Sequence, residues 1–149
     1  MSLPPRVLEL LVRLGELRRD HRALAVKNAQ IAHRQAAQTA QSLALFEAEQ
    51  FARRRGATTS PMGVQALRID QGFHRKLGEA RRLQGEVLEA SERNAEAARE
   101  SLLAEQRRVA ALEALLDARQ RQAHLHTLRL EQRELDQIAA RGRTSGPQD

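Results

Sequence analysis

Apolar residues recur along this chain at helical spacing, and the recurrence breaks only once. In the first third, one seven-residue row reads Leu10, Leu17, Leu24, Ile31, Gln38 and Leu45. Its companion row reads Val7, Leu14, His21, Asn28, Gln35 and Ser42. Together they predict a seam whose second row turns polar from His21 onward, leaving its middle under-packed. Apolar positions then drift onto Ala32, Ala36, Leu43 and Phe46, as a 3.6-residue period drifts against a 3.5-residue repeat. In the later part the clearest row is Leu88, Ala95, Leu102, Val109, Leu116, Ala123 and Leu130, and a second phase with Leu128, Leu135 and Ile138 follows it.

The break runs from Arg55 to Gly63. Gly56 suits the C′ position of a first helix, Ser60 an N-cap and Pro61 the first turn of a second helix. The other prolines are Pro4, Pro5 and Pro147, so nothing else obliges the chain to turn. The prediction is one all-α domain over 1–149, a long antiparallel two-helix coiled-coil hairpin. Helix 1 spans about 5–55, the loop 56–60 and helix 2 about 61–141, with Gly142 stopping it and a disordered tail over 142–149.

The two helices do not match. At 1.5 Å per residue they measure roughly 75 Å and 120 Å, which sets Arg6 near residue 110 and leaves about 30 residues of helix 2 overhanging. That overhang, from near Leu112 to Arg141, carries Leu115, Leu116, Leu125, Leu128, Leu130, Leu135 and Ile138, and is expected to need a partner. Gly63, Gly72, Gly78 and Gly85 punctuate the start of helix 2, each internal one costing about 1 kcal/mol relative to Ala. They read as tolerated glycines, as a bendable tip half, or as a surface that another backbone approaches closely.

Composition narrows the class. Aromatics are 2% of the chain and charged residues 30%, a mixture suited to long helices rather than a broad globular core. The net charge of +6 raises anionic partners. Glu79, Glu86, Glu89, Glu92, Glu96, Glu100 and Glu105 are interleaved with the arginines, however, and read as a solvated face without segregated charge. Arg53-Arg54-Arg55 could contact phosphates or simply complement a helix C-terminus. With almost no aromatic side chains to stack on bases, nucleic acid is not the expected partner.

No cysteine is present, so disulfide and thiol chemistry are absent. His124 and His126 point to opposite sides of a helix, and His21 and His33 lie more than three turns apart. No metal, cofactor or small-molecule substrate is therefore expected. Two helices offer no concave site, which argues against an enzyme. No apolar run approaches the ~20 residues of a membrane span. Residues 7–14 are too short and charged for a signal-peptide core, so a soluble cytoplasmic protein is expected.

Four stretches resemble a known family. They are Leu10-Leu11-Val12-Arg13-Leu14-Gly15-Glu16-Leu17-Arg18, the Gly-to-Ser-Pro loop at 56–61, Phe73-His74-Arg75-Lys76-Leu77, and the run from Arg129 through Leu135-Asp136 to Ala139. In layout and length the chain resembles FliJ, the coiled-coil component of the flagellar type III export ATPase complex, and more distantly YscO of injectisomes. The resemblance implies a non-enzymatic stalk at the inner face of the cell membrane. Its terminal end would enter a hexameric export ATPase, and its tip half would reach a membrane export-gate protein. Export chaperones are implied as further partners. By position, Phe73, Leu77 and Ala80 would dock on the gate, while Arg121, Leu125, Arg129, Arg133 and Leu135 would enter the ATPase ring. The residues alone leave two other readings open, a homodimeric coiled-coil scaffold and a basic helical arm for RNA or DNA.

Overall fold

The computed structural model describes residues 3–56, 63–144 and 146. Helix α1 runs Pro5–Gly56 and helix α2 Val64–Thr144, and no strand occurs among the described residues. The fold class is an all-α helical hairpin, as the periodicity predicts.

Helix α1 starts where proline serves it best. The carbonyl of Pro4 accepts from the N–H groups of Val7 and Leu8 at 3.0 and 3.2 Å, and Pro5 takes the first helical position, where a missing donor costs nothing. Helix α2 opens at Val64, and the Gly63 carbonyl accepts the Leu67 N–H at 3.1 Å. Gly63 is thus its cap; Ser60 and Pro61, expected in that role, lie outside the described residues. The two expected glycine stops behave differently from the expectation. Gly56 is the last helical residue of α1, and no glycine among the described residues has positive φ, so it is not a left-handed cap. Helix α2 continues through Gly142 to Thr144, whose hydroxyl donates to the Arg141 carbonyl at 2.9 Å. A helical glycine loses entropy but not hydrogen bonds, so it weakens a helix without ending it.

The chain divides into two compact units. In the unit formed by residues 20–103, α1 and α2 run antiparallel: Arg54 meets Asp70, Phe46 meets Phe73, Ala36 meets Gln84 and His33 meets Ser91. On α2 the covered positions include Leu77, Leu88, Ala95 and Leu102, three of them from the predicted row. On α1 the covered positions are mostly small: Ala25, Ala29, Ala36, Ala37, Ala40 and Ala44, with Val26 and Leu43.

The predicted α1 seam is therefore corrected. Leu24, Ile31 and Leu45 are exposed in this unit, on the side away from α2. Alanine lets two helices approach closely while leucines project from one side only, and Leu88 and Leu102 supply that bulk here. Nor is the middle held loosely by default. The Gln84 side-chain N–H donates to the Ala36 carbonyl at 3.1 Å, a reach onto the partner backbone. His33 Nδ1 and Ser91 Oγ lie 3.2 Å apart, and Ser91 donates to the Leu88 carbonyl. Polar pairs of this kind hold one register.

The other unit joins residues 1–19 with 104–149. Leu8 is wholly buried and Val109 nearly so, while Leu11, Val12, Leu112 and Leu116 are partly covered. Leu10 and Leu17, expected in the seam, are 64% and 67% exposed. Glu105 is buried and accepts from Arg108 Nη1 at 3.1 Å.

Gly15 lies against Val109. Ten residues back along α1, Pro5 then comes level with about residue 119 of an antiparallel α2. Leu112 and Leu116 are thus paired, and the uncovered stretch begins near residue 120, not at Leu112. The difference from the spacing-based register comes from α2, which begins at Val64 and not near residue 61.

Candidate interaction surfaces

Every described residue from 120 to 144 is exposed. In this stretch Arg121, Leu125, Arg129 and Arg133 stand at i, i+4, i+8 and i+12, one slowly turning face of α2. Leu125, Leu128 and Leu135 make an apolar stripe at i, i+3 and i+10 beside them, with Leu135 two-thirds exposed. Asp117, Gln120, Arg121, His124 and Leu125 line an open groove along this one helix. The face that α2 turns to α1 at Val109 and Leu116 does not continue as an apolar row: it runs through Ala123, Leu130, Glu134 and Arg141. The expected insertion residues are thus all accessible and lie around two sides of the helix, with Leu135 apart from the arginines.

Phe73, Leu77 and Ala80 part company. Leu77 is 8% exposed and belongs to the seam of the 20–103 unit. It is not available to a partner without opening the helix pair, because that face of α2 is the one α1 covers. Phe73 is partly exposed, its ring edge-on to Phe46 at 6.2 Å and close to His74. Ala80 is exposed. All three phenylalanines of the chain gather in this region, Phe51 stacking on His74 at 5.6 Å. Asp70 holds it together, 3.3 Å from both Arg54 Nε and His74 Nε2. Glu47 and Arg81 add an ion pair across the helices.

Two features escaped the sequence reading. The helical glycines of α2 were the candidates for close backbone approach, yet a Cβ on Gly72, Gly78 or Gly85 would meet nothing within 4 Å. Gly15 is the close-approach glycine: a Cβ there falls 3.0 Å from Val109 Cγ2. Its signal was present, since Gly15 sits one heptad after Leu8. The second is charge: residues 51–76 gather six Arg and Lys residues against Asp70 alone, whereas residues 21–46, which carry no acidic residue, hold only three. Among the described residues no group of three or more His, Asp or Glu side chains is placed to hold a metal ion. No described helix is long and apolar enough to cross a membrane.

A helical hairpin that leaves a stretch of one helix uncovered defines the class, an all-α coiled-coil protein. The family model described as flagellar FliJ protein matches residues 5–144, and the chain belongs to that family. Membership gives it a flagellar export-related role as a structural component. No curated protein and no solved structure matches.

Proposed function

We propose that the chain is a non-enzymatic stalk of the type III export apparatus, linking the hexameric export ATPase to the membrane export gate from the cytoplasmic side. The observation that carries the reading is the uncovered stretch of α2 from about residue 120, with Arg121, Leu125, Arg129, Arg133 and Leu135 all exposed. A helix with this many exposed leucines is incomplete alone. Arginines among them suit an acidic or polar ring lumen better than a lipid core. On this reading Phe73 and Ala80 offer the gate contact, with Leu77 holding the helix beneath them, and export chaperones are further clients.

Deletion of 120–149 tests it. The remaining helix pair keeps its covered residues, so its melting should be preserved while capture of the hexameric ATPase is lost. Undiminished capture would remove the overhang from the reading. A second reading, a homodimeric scaffold, is favoured by one observation: the heptad-spaced leucines of α1 that face away from α2. A stable dimer by equilibrium sedimentation at micromolar concentration, lost on replacing Leu10 and Leu17 by Gln, would establish it.

A further inference from the structure

Residues 51–76 hold six cations, Arg53, Arg54, Arg55, Arg68, Arg75 and Lys76, against the single carboxylate of Asp70. Six less one gives +5 of the chain's net +6, within about a sixth of its length. Of the six, Arg54 is paired with Asp70. Arg53, Arg68, Arg75 and Lys76 are exposed and make no ion pair among the described residues. The Arg54–Asp70 pair and the Phe51–His74 stack bring the last turns of α1 beside the first turns of α2. Cations from both helices therefore collect at one end of the 20–103 unit.

The apolar side chains there have a particular placement. Val64 and Ile69, 70% and 74% exposed, are the two most exposed large apolar side chains among the described residues. Val64, Arg68 and Arg75 follow i, i+4, i+11, and Ile69 and Lys76 follow i, i+7 on the adjoining row. Asp70, His74 and Leu77 point the other way, toward α1. The outward side of the first α2 turns thus alternates aliphatic groups with unpaired cations.

We propose that this surface binds an anionic phospholipid bilayer. Guanidinium and ammonium groups meet headgroup phosphates, while Val64 and Ile69 enter the headgroup–acyl boundary. Charge complementarity selects the anion. The aliphatics select lipid over nucleic acid, because Val and Ile offer bases no stacking plane. The inference concerns lipid alone and does not depend on the protein partners proposed above.

The test is vesicle co-sedimentation of the full chain with no other protein present. Mixed phosphatidylglycerol–phosphatidylcholine vesicles should pull the protein down, and phosphatidylcholine alone should not. Added salt should release it. Each cation removed in the series Arg53→Gln, Arg68→Gln, Arg75→Gln and Lys76→Gln should weaken partitioning about fivefold. Val64→Ser with Ile69→Ser should weaken it further at unchanged charge. All these positions are exposed, so circular dichroism should report unaltered helix for each variant. Failure to bind the anionic vesicles overturns the proposal, as does equal binding by the quadruple variant. Binding of single-stranded RNA through the same cations, with the Val64 and Ile69 substitutions having no effect on either partner, would make this a nucleic-acid site and would also overturn it.

Discussion

Two glycines in similar backbone should answer oppositely to the same substitution. Gly15 and Gly78 both lie inside α-helices with ordinary φ. A methyl on Gly78 meets nothing within 4 Å, whereas one on Gly15 lies 3.0 Å from Val109 Cγ2 and 3.9 Å from Leu112 Cδ1. Alanine in a helix interior is worth about 1 kcal/mol over glycine. Gly78→Ala should keep that whole gain. At Gly15 the same gain opposes the cost of over-packing a closed contact, roughly 1–3 kcal/mol. Val109 is 3% exposed and has little room to yield. The net for Gly15→Ala should fall between about zero and a loss of 2 kcal/mol.

Urea unfolding followed by far-UV circular dichroism measures both. Val109→Ala supplies the control. In the natural background it should cost about 2 kcal/mol by leaving a void, and in the Gly15→Ala background distinctly less, since the added methyl fills the space. A coupling of about 1 kcal/mol or more in this cycle is the expected result. Equal stabilisation by Gly15→Ala and Gly78→Ala, or strict additivity with Val109→Ala, would refute the close approach of the helices at Gly15.

Leu77→Ala should cost about 2–4 kcal/mol in the same assay, because its side chain is buried in the seam. Phe73→Ala, partly exposed, should cost less than half of that while weakening export-gate capture; a melting loss equal to that of Leu77→Ala would return Phe73 to a purely structural role. Ser91→Ala should cost about 1 kcal/mol through the lost His33 contact, and the same change in a His33→Leu background should cost almost nothing. Leu17→Gln, in contrast, should change stability by no more than about 0.5 kcal/mol, since 67% of that residue is already in water.

Legibility followed the size of the signal. The α2 row Leu88, Ala95, Leu102, Val109 and Leu116 was readable because large apolar residues occupy most of it and do face α1. The α1 seam was misread for the same reason. Its Leu10–Leu17–Leu24–Ile31–Leu45 row has the strongest heptad signal and is exposed, whereas the inner face is written in alanine in the 20–103 unit and in Leu8, Leu11 and Val12 in the other. Alanine is common everywhere on good helices, so its periodicity stands out little. The overhang was foreseen and its start misplaced, because register depends on where α2 begins, at Val64 and not near Pro61. Sites followed suit: a spacing of i, i+4, i+7 put Phe73, Leu77 and Ala80 on one face, but only packing could show that Leu77 is covered.

The exposure of heptad-spaced leucines on α1 bears on function. A leucine in a seam contributes to folding, and a leucine on an outer face contributes nothing to this chain's own stability. In the 20–103 unit α1 keeps Leu24, Ile31 and Leu45 outside, and in the other unit Leu10, Leu14 and Leu17. An apolar row in strict heptads is the repeat that another helix reads. Such a row returns little folding energy, and association is the use its spacing suits. The two properties can therefore be separated by substitution: outer leucines should change what the protein binds, and Ala36, Leu77, Ala95 and Val109 whether it folds.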